Sequence, residues 1–456
     1  MQNEVMMGNN INARELALSM LIDILEEKKL SHYVLKDGFA MNVDLIKQDR
    51  ALVSRLVTGC VERQITLDYD INRFSKIKVT KMKPMIRNIL RMGVYQLKYM
   101  TQIPDSAVCN EAVKLAKKRG YVGLSGFVNG ILRSMIRNRE QLLSLPTGLS
   151  KQEEIGYLYS IPEWLLTLFI NRFGIDRTKE IVQAFDQEKE ISIRVNSNLI
   201  SKEELIELLT KEKVEVKEGH ILKDALRISQ FDSLERLDSF NKGYYQVQDE
   251  SSMLVGEIAG VKPNDHVIDV CAAPGGKALH VASLLKNTGQ VIACDKTKRK
   301  VDLIDQNVNR LKVFNIRTKV WDALVLNEEW VEAADIVIAD LPCSGLGVIG
   351  KKADIKYNMN LSTMKELAQL QKDILKVVSS YVKPGKTLIY STCTINKEEN
   401  EDNVNYLVHE LGFELENIEP YLDDKLHLDT TKQGYLQVLP NEWNTDGFFI
   451  ARLRKR

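Results

Sequence analysis

"HVIDVCAAPGGKALH" (266–280) decides how the C-terminal half of this 456-residue chain is read. A short Val/Ile run is followed by a turn with Gly275 and Gly276, and then by residues at helical spacing. That order, strand, glycine turn, helix, opens an α/β unit. The glycines let the backbone approach a ligand closely, and the start of the helix offers free N–H groups. A Walker A loop would need glycine at Cys271 and Ser or Thr at Ala278, and no GxGxxG is present, which argues against an NTPase or a dinucleotide enzyme. What remains is a small-molecule cofactor whose nucleoside lies across the strand ends.

The rhythm continues outward from this stretch. "QVIACD" (290–295), "IRTKVW" (316–321), "ADIVIADLP" (334–342) and "KTLIYST" (386–392) alternate with helical segments such as "KRKVDLIDQNVNRL" (298–311) and "STMKELAQLQKDILKVVSSYV" (362–382). Strands alternating with helices build a parallel sheet, and its ligands gather beyond the carboxyl ends of the strands. The second run ends in Asp295, where an acidic residue binds ribose hydroxyls. Asp322 follows the third run, where it can receive an adenine amino group, and Asp340 ends the fourth. Any one of these could simply cap a turn. Three at matching strand ends suit S-adenosylmethionine, whose sulfonium and amino groups are both cationic.

Two cysteines stand at strand ends, Cys343 in "DLPCSGLGVIG" (340–350) and Cys393 in "YSTCTINKEEN" (390–400). If the fourth and fifth strands are neighbours, both thiols face one crevice. A lone cysteine there could be packing. A pair beside a cofactor turn fits methylation of pyrimidine C5: a thiolate adding to C6 makes C5 nucleophilic, and a second group assists release. The other cysteines are 60, 109, 271 and 294. No CxxC and no zinc-type spacing occurs, so reduced thiols and no metal are expected, with Cys60 and Cys109 buried.

Residues 11–140 carry helical periodicity throughout, with Asn12, Asp105 and Ser125 as expected caps and Gly120 as a stop. Over residues 1–140 there are 23 lysines and arginines against 14 aspartates and glutamates, leaving 40 against 48 for the rest. The basic surplus is dense in 72–93 and 114–120, either a solvated helix face or a phosphate-binding surface. Residues 145–154 read as a linker. Strand-like runs at 190–198, 225–230 and 243–248, with a helix after a Ser201/Glu204 capping box, predict a small α+β unit. The expected domains are therefore 1–145, 146–240 and 241–456. No apolar run of membrane-spanning length occurs and "MQNEVMMGNN" (1–10) lacks a signal core, so a cytoplasmic protein without membrane attachment is expected.

"DVCAAPGGK", "DLPCSG" and "STCT", in this order, resemble the RNA 5-methylcytosine methyltransferase family. "FVNGILR" (127–133), with "NEAVKLAKKRG" (110–120) before it, resembles the NusB-like helical domain that some members carry. The resemblance covers nearly the whole chain from about residue 11. It implies an all-α NusB-like N-terminal domain, a small α+β middle domain and a Rossmann-like methyltransferase domain. It implies that Cys393 is the nucleophile and that Cys343 assists product release, with Asp340 and Lys277 as further members of the catalytic set. Cys271, Ala272, Ala273, Pro274, Gly275, Gly276, Lys277, Asp295, Asp322 and Asp340 are implied to bind S-adenosylmethionine. The implied substrate is 16S ribosomal RNA, naked or in an early small-subunit particle, and the implied state is a monomer. DNA enzymes use the Pro-Cys thiol and lack the Thr-Cys one, so Cys393 argues for RNA. Transfer to tRNA, or a non-catalytic RNA-binding or assembly role, are the alternatives. The chain departs from the family at Leu341, Leu346, Ala278 and Gly350-Lys351-Lys352-Ala353, where Lys351 and Lys352 still keep positive charge.

Overall fold

Pro84 at the first helical position, and a broad apolar face running from Ile86 to Leu97, make Pro84–Tyr99 a central helix that is buried over most of its length, with Arg91 and Lys98 on its polar side. The structure is a computed structural model that describes residues 12–187 and 190–456. The N-terminal stretch 1–10, read above as lacking a signal core, lies outside the described residues. Around the central helix, Ala13–Leu25, Lys47–Glu62, Gln64–Phe74, Asp105–Lys118 and Ser125–Arg137 share one core that includes Leu21, Leu56, Leu67, Leu90 and Leu132. Two charges are buried among these helices. Arg91 donates two bonds of 2.7 Å to Asp68, and Asp70 accepts from Lys98 at 2.7 Å and from the Tyr157 hydroxyl at 2.9 Å. Such pairs add little net stability, but losing one partner costs about 3–5 kcal/mol.

Asn12 caps the first helix, accepting the Arg14 N–H at 2.8 Å, and Gly120 takes the left-handed conformation expected of a stop. Asp105 and Ser125 are not caps. Each is the first residue of its helix, behind Pro104 and Leu124, and the Ser125 hydroxyl donates backward to the Val122 carbonyl. The expected linker 145–154 is shorter, because Ser150 and Glu153 form a capping box that starts Lys151–Tyr159. The chain divides into two compact units, the first running to Asp186 and taking in Lys351–Asn358. In that inserted segment Asp354 accepts the Ser31 hydroxyl at 2.5 Å at the N-terminus of Ser31–Ala40. Lys356 donates to the Glu62 carbonyl at 2.9 Å at the C-terminus of Lys47–Glu62. A carboxylate at one helix start matches the helix dipole, and so does the Lys356 ammonium at the other helix end when protonated, although burial lowers its pKa to about 7.

In the second unit β1 (Ile191–Val195), β2 (Glu215–Glu218), β3 (Ala225–Ser229) and β4 (Tyr245–Val247) form an antiparallel sheet in the order β2–β3–β1–β4. The helix Lys202–Lys211 begins with the expected Ser201/Glu204 box and buries Leu205 and Leu209. The strand β2 is mostly exposed and polar at the sheet edge, so no apolar alternation announced it.

The larger sheet holds β5 (His266–Asp269), β6 (Gln290–Asp295), β7 (Ile316–Val320), β8 (Ala334–Asp340), β9 (Val382–Thr392), β10 (Phe413–Leu415), β11 (Tyr435–Val438) and β12 (Phe448–Lys455). Its order is β10–β12–β9–β8–β5–β6–β7, with β11 paired to β12. The strands β5 to β9 are parallel to their neighbours, and β12 runs antiparallel to β9. The chain steps outward from β5 to β7 and then returns to place β8 beside β5. That reversal is a topological switch point, where ligands bind such sheets.

Candidate active site

Asp269 ends β5 and Asp340 ends β8, so the two carboxylates flank the switch point. The loop after Asp269 turns at Gly275, whose φ of +106° favours glycine, and Gly276 starts a helix that reaches Leu284. One residue further on, Lys277 points back across the switch point and donates to Asp340 Oδ2 at 2.7 Å. The other oxygen of Asp340 accepts the Ser391 hydroxyl at 2.7 Å. Burial opposes charge on Lys277, but Asp340, Asp269 and Cys393 outweigh it and raise its pKa. A role for Lys277 in removing a proton requires the neutral amine, which these neighbours disfavour. Its chemistry here is that of a fixed cation.

Asp269 is fully buried. Its Oδ1 accepts the Cys271 N–H at 3.3 Å, whereas Oδ2 is buried with no partner. Burial and then the Asp340 charge push this carboxyl up to about 8. A buried acceptor without a donor, beside a helix start and a second carboxylate, fits a ligand that brings a cationic amino group. The donor set therefore fits S-adenosylmethionine. Motif reading did not single out Asp269. The available signal was an acidic residue interrupting an otherwise apolar strand run.

Asp295 ends β6 almost fully buried. It accepts the Ala273 N–H at 3.3 Å and the Lys296 N–H at 2.8 Å, which ties the glycine turn to the neighbouring strand end. Asp322 lies two residues beyond β7 and half-exposed, and the Lys296 ammonium at 2.9 Å and the Leu324 N–H hold its pKa low. Each expected cofactor aspartate thus stands at a carboxyl end of the sheet. Cys271 also lies in the turn, with its thiol pushed up by burial and by Asp269, Asp295 and Asp340. Cys294 is pushed up to about 12, chiefly by burial. Neither suits a thiolate. Cys60 and Cys109 are buried as expected. Among the described residues no group of three or more His, Cys, Asp or Glu side chains could hold a metal, and no helix is long and apolar enough to cross a membrane.

The remaining two thiols meet. Asp340 and Ser391 are paired in the β8–β9 register, so the turns that follow bring Cys343 and Cys393 together. Their sulfurs are 3.3 Å apart and both are partly exposed. Gly347 staples the two turns: its N–H donates to the Cys393 carbonyl at 3.0 Å, and its carbonyl accepts the Gly447 N–H at 2.9 Å. A Cβ at this position would lie 1.9 Å from the Gly447 oxygen, so only glycine permits the approach. Lys277 completes the group, with its Nζ 5.1 Å from the Phe448 ring centre at the start of β12. Cys343, Cys393, Asp340 and Lys277, expected from scattered motifs, therefore form one cluster.

Known proteins resemble the chain throughout its length. The model of the 16S rRNA methyltransferase RsmB/F matches residues 258–454, the NusB family model matches 11–137, and a ferredoxin-like domain of RsmF/B-like methyltransferases matches 161–235. The "Probable ribosomal RNA small subunit methyltransferase B" of Bacillus subtilis is 36% identical over 98% of this chain and 99% of its own. The ribosomal RNA small subunit methyltransferase B of Klebsiella pneumoniae is 31% identical over 99% of this chain and all of its own. The crystal structure of PH0851 superposes with a TM-score of 0.81 at 27% identity, covering 98% of this chain and 100% of that one. NSun6 from Pyrococcus horikoshii, solved with SFG, gives a TM-score of 0.58 at 26% identity, covering 66% of this chain and 99% of that one.

Proposed function

The chain belongs to the ribosomal RNA small subunit methyltransferase B family, a family of S-adenosylmethionine-dependent enzymes, and on that premise we propose that it methylates C5 of a cytosine in 16S rRNA, the one at position 967, through a covalent bond from Cys393 to C6. The observation that carries the C5 chemistry is the pair of sulfurs 3.3 Å apart beside the Lys277–Asp340 ion pair. Ring carbon C5 is a poor nucleophile until a thiolate has added at C6, and Lys277 supplies the positive charge that favours a thiolate at Cys393. The bound cofactor supplies an electrophilic methyl group on a sulfonium. Asp269, Asp295 and Asp322, with the turn 271–277, hold that cofactor. Loss of the C5 proton to solvent water and elimination of Cys393 as a thiolate then restore the aromatic ring, with the Cys343 thiol assisting release by donating its proton to the departing sulfur. The test is single-turnover transfer of a labelled methyl group to 16S rRNA and its fragments, followed by mapping of the modified base. Label at a carbon or nitrogen other than C5 overturns the chemistry, and label on tRNA but not on 16S rRNA overturns the substrate.

Cofactor binding is expected to depend on pH through Asp269. Its carboxyl carries a proton below about 8 in the free protein, and a cationic amino group requires the carboxylate. Binding therefore releases a proton, and affinity rises with pH toward 8, by up to about tenfold per unit. Calorimetric titration with S-adenosylmethionine in buffers of different ionisation enthalpy reads the released proton. In Asp269→Asn the release is lost and the affinity becomes flat over this range.

The helical unit supports an RNA-contacting role at one place in particular. Lys76, Lys78, Lys81 and Lys83 lie on the exposed stretch between Gln64–Phe74 and Pro84–Tyr99. None of the four has an acidic partner among the described residues. Replacing all four with alanine is expected to weaken 16S rRNA binding and to flatten the slope of log affinity against log salt by about three to four units. Filter binding from 50 to 200 mM salt reads this, and an unchanged slope removes these lysines from the interface.

A further inference from the structure

Two thiols in van der Waals contact could compete for one electrophile, and the motif reading leaves unexplained why one adds and the other does not. The difference lies behind them. Glu399 is fully buried and its carboxylate takes four donors: the Ser344 N–H at 2.8 Å, the Ser344 hydroxyl at 2.5 Å, the Gln371 amide at 3.0 Å and the Asn396 amide at 3.2 Å. Gln371 also donates to the Pro342 carbonyl at 2.8 Å. Every residue of Pro342-Cys343-Ser344 is thereby held directly or through its neighbour. The Glu399 carbonyl in turn accepts the Tyr390 hydroxyl and the Asn403 amide, which fixes the carboxylate to β9 and to the helix Glu401–Glu410.

We propose that Glu399 is a positioning residue that divides the labour between the thiols: it anchors the Cys343 turn and sets a negative charge behind it, while Lys277 serves Cys393. This rests on the C5 reading above. A buried carboxylate with four donors and, among the described residues, no cationic partner places negative charge beside the Cys343 thiol. Groups facing Cys343 are Cys393, Glu399, the Tyr390 hydroxyl and the Gly345 N–H. The hydrogen bond shared with Cys393, burial, and the charges of Cys393 and Glu399 all push the Cys343 thiol up, against the single opposing Gly345 N–H. On the other side, the influence of Cys393 is felt by the Lys277 ammonium. One thiol is thus backed by an anion and the other is fronted by a cation. The arrangement keeps Cys343 a proton carrier and Cys393 a nucleophile.

Two readouts separate this role from mere support of the fold. In a Cys393→Ser background, the pH midpoint for alkylation of Cys343 by iodoacetamide, followed on its peptide by mass spectrometry, is expected to fall by at least one unit in Glu399→Gln and to return in Glu399→Asp. With both thiols present, RNA containing 5-fluorocytosine is expected to be trapped on Cys393 alone in the native sequence and on both cysteines in Glu399→Gln. An unmoved midpoint together with trapping confined to Cys393 overturns the proposal. If Glu399→Gln does not fold, Ser344→Ala removes one donor while the charge stays. It should slow release of RNA from Cys393 with the Cys343 midpoint unmoved, and unchanged release overturns the anchoring role. The alkylation readout requires no methyl transfer. A failure of the C5 reading appears instead as absence of any trapped adduct in the native sequence.

Discussion

Cys393→Ala is expected to abolish both methyl transfer and covalent capture of RNA, lowering single-turnover methylation by at least about 10⁴-fold, the scale on which removing a covalent nucleophile acts. Thiol reactivity in general does not single out Cys393, because six cysteines are present and four are poor candidates. Cys60 is fully buried and its thiol is pushed up by burial, and Cys109 is buried likewise. Cys271 and Cys294 lie near the cofactor turn, but burial and surrounding aspartates disfavour their thiolates. Cys393 alone combines partial exposure with a protonated Lys277 held in place by Asp340. Cofactor affinity should be unchanged in Cys393→Ala, since the turn 271–277 and the strand-end aspartates do not depend on its sulfur. Retained methylation in Cys393→Ala would transfer the nucleophile's role elsewhere.

The alternation of strands and helices from 266 onward was legible because parallel strands buried on both faces read as Val/Ile runs. Three of the runs end at the aspartates that line the carboxyl edge. The third strand stops at Val320, short of Asp322, because Trp321 already turns away to bond the Val325 carbonyl through its indole N–H. The adjacency of β8 and β9 was only inferable from the sequence, since strand order is set by tertiary packing and not by local pattern. Residues whose function depends on how their side chains are partnered in the fold escaped altogether. Asp269 looks like any strand residue until its second oxygen is found unpaired. Glu399 sits in an acidic segment, "NKEEN" (396–400), where neighbouring Glu398 is exposed and composition alone predicts solvent. The loop 350–353 departs from the pattern of the family it resembles, and Asp354, which follows, keeps that pattern's residue. Asp354 holds the Ser31 hydroxyl and N–H within the helical unit.

Cys343→Ala is expected to give the opposite phenotype to loss of Cys393: a covalent enzyme–RNA complex that accumulates to near stoichiometry, with turnover reduced by about 10²–10⁴-fold, the range for loss of a proton-transfer group. The geometry supports this direction. With the sulfurs 3.3 Å apart, the Cys343 thiol is the nearest proton-bearing group to the Cys393 sulfur. Addition needs Cys393 as thiolate, and the C5 proton must leave before the C6–sulfur bond can break. A thiol kept protonated by its hydrogen bond to Cys393, by burial and by the charges of Cys393 and Glu399 is poor at adding but suited to handing a proton to a departing sulfur. Removing it leaves addition intact, because Lys277 and Asp340 are untouched, and slows only the step that frees the RNA. Denaturing gel electrophoresis after incubation with 16S rRNA and S-adenosylmethionine separates the outcomes. A band of protein–RNA adduct should appear with Cys343→Ala and be absent from Cys393→Ala and from the double variant. An adduct in Cys393→Ala but not in Cys343→Ala would exchange the two assignments, and with them the role given to Glu399.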